Sequence, residues 1–569
     1  MVAIPASCHL DAAMSFRHSI TSGLRAFRQA ARARGFGASA AKALRILRHE
    51  GPVGLTKRLR ALTPLPRASR GDPSACLIVT TPHVEWIARM MARILQGHGL
   101  RAEVSGDTAG AETYGHVFVL TPQMFKHLPQ DFIAFQLEQH VSGRWMTPDY
   151  LALLKGARAV MDYSTANIVR LREAGLPLQR LFHVPLSPDP DVAPPQGERQ
   201  GVLFVGDMSA PRRKHLIAEL KTAFPDLRVE VALFGQDLDR ALDRAQVILN
   251  LHFYEDALLE TARIHQARSH GAWVVSETAA DQDSHRDVPG VIFARAGDVD
   301  ALLAGIRQAL AAGPAPTIAR SDFSGWFDRA LLGLEIIDPD TFDDCHPDWP
   351  CKLEATPCLC LSLSETPERR AQFLKQHQAS QFRIWEGLRA SPGWRGAALS
   401  YRQMFNRLQA EAIDKAIICE DDVEFPADFD RRFDALRRHL AERNDWDMAS
   451  GFIADLSPRA KVLDVADVEG MTVVTLNSAV SMVFNIYRRG AMSLLAGWDV
   501  NDTDPFTNTI DRRLEAGQLR VVTTLPFLVR HRDDSASTLR EFGNDKYQSE
   551  IAATEKLLAE KVSAYRQKI

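Results

Sequence analysis

The chain has 569 residues, 46% of them hydrophobic and 24% charged, ordinary values for globular protein and enough chain for about three to four domains. Overall disorder, collagen-like repeats and a disulfide scaffold are excluded. The formal charge of −3 hides an asymmetry: residues 1–70 hold thirteen Lys/Arg against Asp11 and Glu50, a balance of +11, so residues 71–569 carry −14.

Residues 1–74 read as a basic helical extension and linker. Ala40, Leu44 and Leu47 form one apolar stripe beside Arg45 and Arg48, and Gly51-Pro52 breaks the pattern. Two readings stay open: a solvated extension packed on the body, or an amphipathic segment on anionic lipid. Nucleic acid is not an expected partner, because few aromatics interleave the charges. The head is Arg-, Ala- and Ser-rich and acid-poor, which also fits a transit peptide, and it lacks the compact apolar stretch of a secretory signal. No run of 18 apolar residues occurs, so no spanning helix is expected. Seven irregularly spaced cysteines without a C-x-x-C pair point to a reduced, cytoplasmic setting. A lipid-bound head would place the chain peripherally on the inner face of the membrane.

From Ala75, short apolar runs alternate with roughly 10–15-residue helical patterns, the βαβ rhythm of a parallel sheet. Cys76 to Val79, Val117 to Leu120, Phe132 to Phe135 and Ala159 to Met161 are the expected strands of a unit over residues 75–190. A Pro- and Asp-rich stretch, Ser187 to Gln200, separates it from a second α/β unit over 200–313. That unit opens on Gly201 to Asp207 and includes a helix near Leu258 to His270 with Gly271 as its cap. Residues 314–356, punctuated by prolines, read as a linker. A third α/β unit follows over 357–569, ending in a charged helix from Ser549 to Lys568.

The strongest local signal is Ala416-Ile417-Ile418-Cys419-Glu420-Asp421-Asp422-Val423. Four apolar residues make a buried strand, with three acids at its carboxyl end, where open α/β sheets bind ligands. Glu420 and Asp422 stand at i and i+2, so extended backbone points both to one side. Converging carboxylates are costly without a cation, and Mg²⁺ or Mn²⁺ with substrate phosphates resolves that cost. A solvated acidic loop is the bland alternative.

The neighbouring motifs are Leu361 to Arg370 with Glu368-Arg369-Arg370, the small-residue turn Gly396 to Tyr401, Ile510-Asp511-Arg512-Arg513, and Thr523 to His531. With these, residues 358–535 resemble the family 25 glycosyltransferases, the bacterial lipopolysaccharide group related to collagen galactosyltransferases. The shared marks are a strand followed by D-R-R or E-R-R, a G-x-x-G-C-x-x-S-H helix start and an I-x-E-D-D-V strand end. The resemblance implies a GT-A-like fold, a nucleotide-sugar donor (a UDP-hexose), inversion, and a glycan or glycolipid acceptor such as growing lipopolysaccharide. By matching position, Glu420 and Asp422 would bind Mn²⁺ or Mg²⁺, with Asp421 beside them at the donor. Arg369 and Arg370 would open the nucleotide site. Ser400 matches the family serine, and Tyr401 stands where the family usually has His. Asp511 would be the general base, and His531 a third metal ligand.

Residues 75–312 look like a GT-B glycosyltransferase in layout, two Rossmann-like halves with a nucleotide-sugar between them. His252, Glu260, Arg263 and Glu277 fall where such enzymes contact the donor. His252 occupies the first of two positions that are commonly acidic. Arg212 and Arg213 would add positive charge, and Glu138 and Asp162-Tyr163-Ser164 are acceptor-side candidates. The expected fold is therefore α/β: two Rossmann-like halves, then a GT-A-like domain, behind a helical basic extension. The expected activity is glycosyl transfer. A non-catalytic GT-B-like binding half, and a metal-dependent phosphate-ester hydrolase built on the acidic triplet, are the alternatives.

Overall fold

The computed structural model describes residues 71–193, 197–285, 288–317, 322–353, 357–532, 538 and 548–568. The readings of the basic head fall outside the described residues. The described chain forms two compact units, divided between Ala330 and Leu331.

The first unit holds two parallel sheets. One contains β1 (Asp72–Val79), β2 (Arg101–Ser105), β3 (Tyr114–Leu120), β4 (Ile133–Gln136), β5 (Ala159–Asp162) and β6 (Leu181–His183) in the order β2-β1-β3-β4-β5-β6. The other contains β7 (Val202–Val205), β8 (Arg228–Glu230), β9 (Val247–Asn250), β10 (Trp273–Glu277) and β11 (Val291–Ala294) in the order β8-β7-β9-β10-β11. Helices cover both faces of such sheets, which is why the strands read as apolar runs rather than alternating patterns. Ala75 to Val79 are at most 2% exposed, and the helix Glu85–Gly97 turns Ile87, Met90, Met91 and Leu95 inward. Gly271 does end a helix: at φ +74 it donates to Arg268 O at 2.9 Å, while Ala272 N donates to Ala267 O at 3.2 Å.

In both sheets the strand order reverses between the first strand and the third. Open α/β sheets form a crevice at the carboxyl edge of that reversal. The two Rossmann-like halves thus each present a ligand-binding edge by topology alone.

The stretch 314–356 departs from the linker expectation. It contains the helices Phe323–Gly333 and Pro339–Cys345. Phe327 packs 5.9 Å from Phe118 and 5.7 Å from Phe323 by ring centroids, and Asp328 Oδ1 lies 2.8 Å from His98 Nε2. The prolines dominated the reading of this stretch, but Phe323, Phe327 and Ala330 form a helical stripe at i, i+4 and i+7.

The second unit is also α/β, around a mixed sheet. Its strands are β12 (Cys358–Ser362), β13 (Arg383–Glu386), β14 (Lys415–Glu420), β15 (Val423–Glu424), β16 (Met448–Ser450), β17 (Val462–Val468), β18 (Met471–Leu476), β19 (Phe484–Arg488), β20 (Val521–Leu525) and β21 (Arg530–His531). Eight of them run in the order β13-β12-β14-β19-β16-β20-β18-β17, and β15 pairs β21 in a small antiparallel ribbon. β14 lies beside parallel β12 and antiparallel β19. The closing helix Gln548–Arg566 is fastened by Tyr565 Oη donating to Leu463 O at 3.0 Å. Among the described residues no helix is long and apolar enough to cross a membrane.

The small residues at 396–398 do not form a turn into a helix. They lie within the helix Gly393–Ala410. A Cβ at Gly396 would sit 2.9 Å from both Ala390 N and Leu388 O, so glycine lets the loop after β13 lie against the helix. Gly396→Ala should therefore destabilise the chain by about 1–3 kcal/mol, although alanine is the better helix former by about 1 kcal/mol. Urea denaturation of the two proteins checks this, and a stabilised variant would contradict it.

Candidate active site

At the carboxyl end of β14 the three acids take three different environments. Asp421 and Asp422 are 4% and 6% exposed. Asp421 Oδ1 accepts from Arg369 Nε at 2.9 Å and Nη2 at 2.5 Å, and its Oδ2 accepts from Ser362 Oγ at 2.8 Å. Asp422 Oδ2 lies 2.9 Å from Arg369 Nη2 and 3.2 Å from His531 Nε2. Glu420 Oε1 accepts from Tyr401 Oη at 3.1 Å. The ribbon β15–β21 sets His531 in place by pairing it with Val423. The helix Gly393–Ala410 delivers Tyr401, and Asp511 enters from the first turn of the helix Ile510–Ala516.

The electrostatics separate these groups. Burial, then the Asp422 and Asp511 charges, push Glu420 up to about 8. Burial would also raise Asp422, but Arg369 and then His531 outweigh it and hold that carboxyl well below the usual range. Burial raises Asp421 in spite of Arg369. The result is an acid-rich edge at which the Arg369 guanidinium is closely paired with Asp421 and Asp422.

The donor chemistry decides which cation the edge suits. Asp422 Oδ1 is buried with no hydrogen-bond partner, a cost that a cation would remove. Among the described residues no group of three or more His, Cys, Asp or Glu is placed to enclose a metal ion. A full protein cage of Glu420, Asp422 and His531 is therefore not formed, since His531 Nε2 already meets Asp422. Hard carboxylate oxygens such as the unpartnered Asp422 Oδ1 fit Mg²⁺ or Mn²⁺, which use one or two carboxylates, waters and substrate phosphates.

Two expected donor contacts point elsewhere. Ser400 Oγ donates to Gly396 O at 2.7 Å and accepts from Leu388 N at 2.8 Å, so it pins the loop after β13. Arg370 Nη2 donates to Glu386 Oε2 at 2.6 Å and its Nε to Ser362 Oγ at 3.1 Å. Glu386, which the sequence reading missed, also accepts from Ser364 N at 2.8 Å. Both arginines thus shape the carboxyl edge from within. The only sequence signal for Glu386 was an acid at the end of a short strand, and that strand was not anticipated.

In the first unit the expected residues gather at the reversal between β7 and β9. Fully buried Arg213 donates to Leu251 O at 2.9 and 2.7 Å, to Asp207 O at 3.0 Å and to Glu260 Oε1 at 3.1 Å. Arg263 Nη1 lies 3.0 Å from Glu260 Oε2. Burial opposes ionisation of Glu260, but Arg263 and Arg213 together hold it below its ordinary value. Glu277 is enclosed: it accepts from Arg212, from His252 N at 2.8 Å and from Gly297 N at 2.6 Å. Glu277 and His252 therefore brace the ends of β9 and β10, while Glu260 and Arg263 stand nearer the crevice. A Cβ on Gly206 would lie 3.3 Å from Arg263 Nη2 and 3.4 Å from Arg213 Nη1, so bare backbone meets the guanidinium groups there.

Comparison by sequence finds no matching family model and no matching curated protein. Among solved structures, the chain is similar to Anabaena HepE in complex with UDP and glucose. The identity is 10% and the TM-score 0.29, over 48% of this chain and 98% of that one. A structure of Anabaena HepE in complex with UDP gives 12% identity and a TM-score of 0.27, over 42% of this chain and 89% of that one.

Proposed function

We propose that this chain is a glycosyltransferase whose second unit moves a hexose from a UDP-sugar to a bacterial surface glycan or glycolipid, with inversion. The observation that carries the reading is the carboxyl edge of β14, where the charges of Asp422 and Asp511 both act on Glu420 and Asp422 Oδ1 has no partner. The motif order over residues 358–535 supports the reaction class.

Glu420 and Asp422 would hold Mn²⁺ or Mg²⁺. When bound, such an ion supplies positive charge to the departing diphosphate. Arg369 keeps Asp422 ionised and fixes its orientation. Tyr401 orients the Glu420 carboxyl. Asp511 would accept the proton of the acceptor hydroxyl as the glycosidic bond forms. In the first unit, Arg263 and Glu260 would contact a nucleotide-sugar.

The test is product mass spectrometry with the full chain, a panel of UDP-hexoses and cell-envelope acceptors, with and without Mn²⁺. The reading predicts a hexose added to an acceptor in Mn²⁺. UDP-hexose consumption that yields free phosphate and no glycosylated product would instead favour the hydrolase.

A further inference from the structure

The strand beside β14 carries a buried amide that touches none of the groups named so far. Asn485, on β19, stands directly across from Ile418 of β14, two residues before Glu420, and is fully buried. Positions buried this completely are ordinarily apolar. Its Nδ2 donates to Ser481 O and to Tyr487 Oη, both at 2.8 Å. An amide nitrogen has two hydrogens, so both are committed. The Ser481 carbonyl also fixes which way round the amide sits, because a flipped amide would set Oδ1 against it. Asn485 Oδ1 is buried without a hydrogen-bond partner, a desolvation cost that only the two Nδ2 bonds offset.

What those two bonds hold converges on Glu420. Met482 lies where the branches meet: it follows Ser481, and Tyr487 Oη donates to its Sδ at 3.7 Å. Met482 O in turn accepts from Tyr401 Oη at 3.3 Å, and the same hydroxyl reaches Glu420 Oε1 at 3.1 Å. The next carbonyl, Val483 O, accepts from Glu420 N at 3.0 Å. The rings follow the same route. Tyr487 meets Phe405 edge-on at 5.0 Å between centroids, and Phe405 stacks on Tyr401 at 5.9 Å. Tyr401 and Tyr487 are both fully buried, so close packing holds each ring in one place. Tyr401 has one hydroxyl proton for two acceptors, and the position of Met482 O decides how near Oη stays to Glu420.

We infer that Asn485 is a positioning residue for cation binding at the β14 edge: by fixing Ser481 O and Tyr487 Oη it sets Met482 and Tyr401, and through Tyr401 it aims the Glu420 carboxyl. This rests on the reading of Glu420 and Asp422 as ligands of Mn²⁺ or Mg²⁺, and goes beyond it by naming what orients Glu420. Asn485 touches neither the cation nor the substrate. Groups that orient a ligating carboxylate from outside are worth about ten- to a hundredfold in metal affinity.

The experiment is calorimetric titration of the full chain with Mn²⁺ alone, the β14 site being the one that Asp422→Asn abolishes. Asn485→Leu keeps the size of the side chain and removes both donors, and it should weaken Mn²⁺ at that site by about ten- to a hundredfold. Tyr487→Phe removes one of the two bonds and should weaken it by about three- to tenfold; it decides the question if Asn485→Leu does not fold. Thr523→Val removes another buried, unpartnered hydroxyl from the same sheet and should change the affinity by less than about twofold. Both network variants are then repeated in the Tyr401→Phe background, where neither should weaken Mn²⁺ by more than about twofold further, because effects along one chain of contacts do not add. Equal losses in the two backgrounds, a comparable loss in Thr523→Val, or wild-type affinity in both Asn485→Leu and Tyr487→Phe would each overturn the inference and leave the β14 assignment standing. A wild-type protein with no Mn²⁺ site that Asp422→Asn removes would overturn both.

Discussion

Arg369→Met is expected to destabilise the second unit by about 3–5 kcal/mol, the cost of breaking a buried ion pair from one side. The guanidinium makes close contacts with both Asp421 and Asp422, and all three side chains are less than 10% exposed. Methionine keeps much of the stem volume and removes the charge, leaving two buried carboxylates. Asp421 retains Ser362 and Asp422 retains His531, so part of the hydrogen bonding survives. Arg369→Lys should lose less, because it keeps the charge but cannot form the two-pronged contact with Asp421. Tryptophan fluorescence in urea reads the change. A loss below about 1 kcal/mol would mean that the pair behaves like a surface ion pair. Mn²⁺ should narrow the deficit, since it would provide the cation that Arg369 no longer supplies.

That expectation could not have come from the sequence. Arg369 and Arg370 are adjacent on a helix, where successive side chains point about 100° apart. One therefore reaches Asp421 and Asp422, and the other reaches Glu386. Adjacent arginines looked equivalent because only the partner strands tell them apart. The strand before Glu420 was legible because a strand buried on both faces needs an apolar run, and three acids beginning at its end are conspicuous against it. Gly271 was legible because helix ends favour glycine in the left-handed region. Ser400 was not, because its hydroxyl is spent on Gly396 O and Leu388 N, and only a folded loop brings Leu388 there. Glu138 was legible as an acceptor-side candidate, but the hold of Gln136 and Asn167 on its backbone is visible only in the fold.

Asp422→Asn carries the largest expected effect on turnover. The amide keeps the shape but loses the charge that a hard cation needs, and it places a donor group toward Arg369 or the open position. Metal-dependent transfer should fall by about a hundred- to a thousandfold, the usual cost of losing one aligned electrostatic contact to a transition state. Glu420→Gln should behave similarly, with a distinct pH signature in the wild-type protein. Glu420 is raised to about 8 from 4.5, so below about pH 8 the metal-free fold keeps it protonated. Stability contributed by that proton is fully present below about pH 4.5 and is lost as pH rises toward 8. A cation that binds the carboxylate must displace the proton, so Mn²⁺ affinity should rise by up to about tenfold per pH unit and flatten above pH 8. Glu420→Gln should remove that slope. Calorimetric titration of Mn²⁺ at pH 6.5, 7.5 and 8.5 measures it. A pH-independent affinity in the wild-type protein would show that Glu420 is not a ligand, and full turnover in Asp422→Asn would remove the metal from the β14 edge altogether.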